Sequence, residues 1–185
     1  MYWYRRNLPT SASVSRPTRG TLTLSNSGKG TLLALQFHIE RLASSIRGPR
    51  VSRVYRSHGS MIHIHFGELQ EWCCREGEVR QRGAYGLMIE AANWAIERQG
   101  ATLATNALRI ERIDRELPKL LGRRVVSVRF GDRRSEFRFE HGLLLRLSPG
   151  GSGCGTLHAI DNWVIFRGEN AALALTKKAR LQLCS

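Results

Sequence analysis

Asn93-Trp94-Ala95-Ile96 returns later in the chain as Asn162-Trp163-Val164-Ile165, and each copy closes a longer pattern. The first pattern runs Ile39-Glu40-Arg41, Gly48, Val51, Val54, Ile62, Ile64, Gly67, Leu69, the tetrapeptide, Ala101 and Leu103. The second runs Ile113-Asp114-Arg115, Gly122, Val125, Val128, Phe137, Phe139, Gly142, Leu144, the tetrapeptide, Ala171 and Leu173. Their offset is constant from Ile39 and Ile113 to Val54 and Val128, then lengthens by one place where Ile62 meets Phe137. It shortens before the tryptophans and shifts by one place again at Ala101 and Ala171. Offsets that change only between apolar runs are what loop insertions and deletions leave behind, so the chain reads as an internal duplication.

Working outward, each unit opens on helical spacing. Leu35, Ile39, Leu42 and Ile46 place one apolar stripe along a helix, and Gly48-Pro49 ends it. In the second unit Ile110, Ile113, Leu117 and Leu120 have the same character. Pro118 falls inside them, so the spacing predicts a break with Pro118 starting a fresh turn. Alternating apolar runs then predict strands at 50–56, 61–66, 69–74, 85–98 and 101–105, with an exposed loop over 75–83. The second unit predicts strands at 124–130, 135–140, 143–147, 158–166, 173–175 and 179–183, with a Gly-rich loop at 148–155. Short turns between alternating runs favour antiparallel pairing. The expected fold is α+β and mainly antiparallel β. It comprises two tandem repeats, 32–106 and 107–185, each a short helix or turn followed by a β-meander. They are expected to be arranged with pseudo-twofold symmetry around a joint core.

Residues 1–31 read differently: rich in Ser, Thr, Arg and Gly, with basic residues and no acid. Such a stretch buries too little apolar area to offset its ordering entropy, which predicts a disordered basic tail, either a leader or a start placed too far upstream. Ser27-Gly28-Lys29-Gly30-Thr31 is not a phosphate-binding loop, because glycine stands where Ser or Thr must follow the lysine. No apolar run has the length of a membrane-spanning helix, so no membrane partner is expected. Cys73, Cys74, Cys154 and Cys184 show neither a disulfide framework nor a zinc ribbon, which points to a reducing, cytoplasmic setting.

The net charge of +14 invites an anionic partner, although nearly all of the basic residues are arginines, a bias that a GC-rich genome also produces. Arg123, Arg124, Arg129, Arg133 and Arg134 form the densest stretch and are the candidate contacts for a protein partner or for phosphates. His63-x-His65 puts two imidazoles on one strand face, a geometry that begins a metal site, yet no spacing supplies further ligands among His38, His58 and the cysteines. Under the offset that carries Ile62 to Phe137, His63 and His65 match Arg138 and Glu140, which makes an exposed polar face the plainer reading. His58, His141 and His158 lack any companion motif for catalysis, and Glu90 is the one carboxylate in an apolar strand. Trp94, Ile96, Trp163 and Ile165 occupy matching places in both units, which favours shared core over a ligand platform. Asn93 and Asn162 are expected to bond backbone at a bulge or turn.

The second unit also carries a pattern of Leu117, Leu120, Gly122, Val125, Val128, then Phe137, Phe139, Gly142, Leu144, then Trp163 and Ile165. In this it resembles a family of small, uncharacterised bacterial β-rich domains similar to polymorphic-toxin immunity proteins. The resemblance covers most of the second unit and extends more weakly to the first. It is a packing pattern that brings no catalytic residues with it. It implies a bacterial, non-enzymatic protein that binds a protein partner, and the basic charge would suit an acidic one. The alternative is a nucleic-acid-associated protein contacting phosphates through arginines, and a third reading is a metal-dependent enzyme. No cofactor is expected.

Overall fold

The computed structural model describes residues 29–73, 78–150, 162–168, 170–175 and 181–183. Among these residues two helices, α1 (Lys29–Ile46) and α2 (Ile110–Glu116), accompany eleven strands in two antiparallel sheets, so the fold is α+β and mostly β. The strands are β1 (Val51–Arg56), β2 (Ile62–Cys73), β3 (Val79–Ile89), β4 (Asn93–Arg98), β5 (Ala101–Thr105) and β6 (Val125–Arg129), followed by β7 (Ser135–Phe139), β8 (Leu143–Ser148), β9 (Trp163–Arg167), β10 (Asn170–Leu175) and β11 (Leu181–Leu183).

Strand order crosses the chain's midpoint twice. One sheet runs β1-β2-β3-β9-β10-β11 and the other β5-β4-β8-β7-β6. Thus β3 is completed by β9, with Ile89 opposite Trp163 and Leu87 opposite Ile165. Likewise β8 is completed by β4, with Leu147 opposite Trp94 and Leu145 opposite Ile96. The two sheets meet where Arg50 and Arg124 form a lone bridge. Around it Gly48 N donates to Val125 O (2.9 Å) and Gly122 N to Val51 O (2.8 Å), while Val51 N reaches Arg123 O (2.9 Å) and Val125 N reaches Pro49 O (3.0 Å). Gly48 and Gly122 both take the positive φ that ends each helical segment, where a side chain would be strained.

A single apolar core fills the space between the sheets. Ile62, Ile64, Phe66, Leu87, Trp163 and Ile165 come from one, and Trp94, Ile96, Phe137, Phe139, Leu145 and Leu147 from the other. Phe66 and Phe137 lie parallel across the gap, 6.1 Å between centroids. Ile46 of α1 and Ile113, Leu117 and Leu120 of the second helical segment are also buried in this core. As expected, the second helix stops at Glu116 and a 3-10 turn, Leu117–Leu120, follows with Pro118 in its first positions.

Three expectations change. Helix α1 begins at Lys29, inside the stretch read as a disordered tail, whereas residues 1–28 lie outside the described residues. The loop expected over 75–83 is strand from Val79 onward, paired through Val79 with Cys73 and Gln81 with Glu71. Val79, Arg80 and Gln81 are exposed, so backbone pairing holds this end of β3 with no buried alternation to announce it. The run 85–98 is two strands, because the N–H groups of Glu90, Ala91 and Ala92 all converge on Asn162 O at 3.1–3.2 Å and turn the chain. Register pairs Val51 with Phe66 and Tyr55 with His63 in one sheet, and Val125 with Phe139 and Arg129 with Glu136 in the other. The Gly-rich loop lies outside the described residues from residue 151 on, as does the start, 158–161, of the strand expected at 158–166.

Candidate functional site

Alternation along the strands gives each sheet an outer face, and the two faces differ in chemistry. On the five-stranded sheet Phe137, Leu145 and Ile96 point inward, so Arg129, Glu136, Arg138, Arg146 and Glu97 point outward. Register puts Glu136 between Arg129 and Arg146. Arg134 reaches Glu136 Oε1 at 2.5 Å, Arg138 reaches Oε2 at 3.3 Å, and Arg146 Nε stands 3.5 Å from Oε1. Arg146 also pairs with Glu97. Glu136 is only 8% exposed beneath these guanidinium groups. Burial alone would raise its pKa, but the Arg134 hydrogen bond and the charges of Arg134, Arg138 and Arg146 outweigh that and hold it below the ordinary carboxylate range.

The arrangement is an arginine array set on the buried carboxylate of Glu136 and the half-buried one of Glu97. Arg129, Arg134, Arg138 and Arg146 share this face with them, so it keeps a surplus of positive charge. Each anchored guanidinium has five N–H donors and spends only some of them inward, which leaves donors for carboxylates or phosphates outside. Arg138 and Arg134 keep 60% and 50% of their side-chain surface exposed.

The five arginines singled out in the sequence do not gather in one place. Arg129 and Arg134 belong to this array, and Arg133 lies beside them in the β6–β7 turn. The side chains of Arg129 and Arg133 make no ion pair or hydrogen bond among the described residues. Arg123 and Arg124 sit at the opposite end of β6, roughly 20 Å away along an extended chain. There Arg124 pairs with Glu140 at 3.4 Å and Arg123 Nε donates to Lys119 O at 3.3 Å. Arg50 joins them, reaching Glu140 at 3.2 Å and Gly122 O at 2.8 Å. The hydrogen bond from the Arg124 backbone, with these charges, lowers the Glu140 pKa. The sequence reading missed Arg138, Arg146, Glu136 and Glu97. Alternation alone would have placed them on outer faces, but only cross-strand register brings them together.

On the six-stranded sheet the outer face carries rings. Tyr55 lies against His63 with centroids 4.7 Å apart and planes 5° apart, and against His65 at 6.0 Å. The Arg53 guanidinium carbon stands 5.0 Å from the Tyr55 ring centre. Both histidines lie on this outer face but are half-buried, where an exposed polar face was expected. Burial lowers the His63 pKa. It lowers that of His65 to about 4, helped by the charges of Arg53, His63 and Arg82. Each ring also has a nitrogen in use: His63 Nε2 shares a 3.0 Å hydrogen bond with Ser57 Oγ, and His65 Nδ1 accepts from Gly83 N at 3.2 Å. Among the described residues no group of three or more His, Cys, Asp or Glu is placed to hold a metal ion.

Trp94 and Trp163 are both buried, with Ile96 and Ile165 beside them. Trp94 Nε1 donates to Ser60 O at 2.9 Å, whereas Trp163 Nε1 is buried without a partner among the described residues. Asn93 donates to Pro149 O at 3.3 Å and Asn162 Oδ1 accepts from Gly150 N at 2.7 Å, so both asparagines hold the segment after β8. No helix among the described residues is long and apolar enough to cross a membrane. Comparisons with family models, curated proteins and solved structures gave no match.

Proposed function

We propose that the protein is a non-enzymatic binding protein whose arginine array on the five-stranded sheet docks an acidic protein partner. The observation that carries this reading is Glu136, buried beneath Arg134, Arg138 and Arg146. It fixes the guanidinium groups before any partner arrives, which reduces the entropy lost on binding. Charge complementarity of this kind speeds encounter and selects partners. The resemblance to immunity proteins of polymorphic toxins agrees with it, the toxin-like partner being the acidic member, and a bacterial cytoplasm is the setting that goes with it.

The same reading includes the internal duplication, with pseudo-twofold symmetry and exchanged strands. In its support, the ladders of the two sheets share one register. Val54 opposite Ile64 recurs as Val128 opposite Phe137, and Leu87 opposite Ile165 recurs as Leu145 opposite Ile96. Ile96 opposite Ala104 recurs as Ile165 opposite Leu173. The reciprocal hydrogen bonds around Arg50 and Arg124 lie where the dyad would pass.

The test is affinity capture from the native host at physiological salt, using the wild type and Arg129→Glu/Arg138→Glu, with duplex DNA titrated in parallel. One acidic protein retained by the wild type and lost by the variant supports the reading. Submicromolar duplex binding that the same variant abolishes would replace it with phosphate recognition, whose affinity should fall log-linearly with salt.

A further inference from the structure

We propose a second binding site, independent of the arginine array: the ring cluster of Arg53, Tyr55, His63 and His65 binds a nucleotide, either free or as an unpaired base in a single strand. Three aromatic rings stand nearly parallel on one sheet face, and Tyr55 on the edge strand β1 remains 37% exposed. Exposed, immobilised aromatic faces beside a cation are the elements with which proteins hold bases without reading sequence. Here the immobilisation is explicit. Ser57 fastens His63, the Gly83 N–H fastens His65, and the Arg53 guanidinium lies near the tyrosine ring.

The donor pattern fits the same ligand. Because His65 Nδ1 accepts from Gly83, the neutral ring carries its proton on Nε2, a donor with no partner among the described residues. Arg53 and Arg82 both bring positive charge to His65. A base stacked on Tyr55 in place of the Arg53 guanidinium would therefore meet the positive charge of Arg53 and Arg82 at its phosphate.

Strand pairing does not itself call for rings at these places. The equivalent ladder places in the five-stranded sheet are filled by Arg129, Glu136 and Arg138, opposite the same inward pattern. A face built there from charges is built here from rings, and of these only His65 takes part in the ladder, by accepting from Gly83 N. Carboxylate-rich ligands are better served by the opposite sheet, where the arginines are gathered.

The experiment uses the full chain, with AMP and UMP followed by calorimetry and a labelled ten-nucleotide single strand followed by anisotropy. Binding of at least one probe is expected, weakened about tenfold or more by Tyr55→Ala and by Arg53→Ala. Tyr55→Phe, which keeps the ring, and Arg129→Glu/Arg138→Glu, which leaves this face intact, should both retain it. Mononucleotides binding as tightly as the strand would assign the site to a free nucleotide. A strand binding far more tightly would assign it to single-stranded nucleic acid. No binding of either probe, or binding indifferent to both Tyr55 and Arg53, would overturn the proposal. Tyr55→Phe is the reference should Tyr55→Ala unfold.

Discussion

Gly83 donates its backbone N–H to Nδ1 of His65 over 3.2 Å, so a glycine and an imidazole together close the register shift between β2 and β3. Protonating Nδ1 removes the acceptor and sets a charge beside Arg53 and Arg82.

Stability should therefore fall in mild acid. His65 titrates near pH 4 in the folded chain and near 6.5 when unfolded, and the His63 shift has the same sign. Between those values the unfolded state binds the extra proton. The contribution is thus complete above about pH 6.5 and lost as pH falls toward 4; because the rings are only half-buried, solvent screening trims it to about 1–2 kcal/mol. His65→Asn keeps an acceptor and cannot titrate. Urea midpoints at pH 7.5 and 4.5 should drop less for this variant than for the wild type, and equal drops would sink the idea. The depressed pKa values of Asp114, Glu136 and Glu140 act in a lower window, below about 4.5.

Gly83→Ala should be costly, because its Cβ would stand 2.6 Å from Phe66 O and 2.9 Å from Phe66 N, both backbone atoms. A loss of about 1–3 kcal/mol follows from such overpacking. Gly86→Ala is the comparison in the same strand, meeting only the Phe166 Cβ at 3.9 Å. Its melting temperature should stay near or above that of the wild type.

The two tryptophans should respond unequally to Phe. Trp94→Phe discards a hydrogen bond to Ser60 O, while Trp163→Phe discards a buried N–H that has none among the described residues. The first should cost about 1 kcal/mol more than the second, since an unmade buried bond is itself a penalty. Chemical denaturation of both variants decides it, and a larger loss for Trp163→Phe would show that its indole finds a partner in solution.

Glu136→Ala should destabilise by about 1–3 kcal/mol at low salt, because three arginines lose their shared carboxylate. Added salt should recover part of this by screening their repulsion. Glu78, paired with Arg80 at 2.8 Å on an exposed ribbon, is the contrast. Glu78→Ala should change stability by less than about 0.5 kcal/mol. Equal effects would mean the array is no more organised than any surface pair.

Most strands were legible because Ile62, Ile64 and Phe66, or Leu143, Leu145 and Leu147, alternate with neighbours that face outward. Pro118 announced the break in the second helix for a steric reason that holds in any context. The Val79 end of β3 was not legible, since nothing there faces a core. The array around Glu136 needs β6, β7, β8 and β4 laid side by side, and that order is a property of the folded sheet, not of any local run.

The pairing of β3 with β9 also has a cost during synthesis. Ile89 leaves the ribosome long before Trp163, its partner in the ladder. At about 5–20 residues per second, the open edge of β3 waits on the order of 4–15 s for the strand that covers it. During that interval a three-stranded β1-β2-β3 ribbon offers unpaired backbone and Leu87 and Ile89 to any neighbour. Two nascent chains on one message could exchange strands there, which makes slow, crowded translation the condition under which this protein is most prone to tangled oligomers.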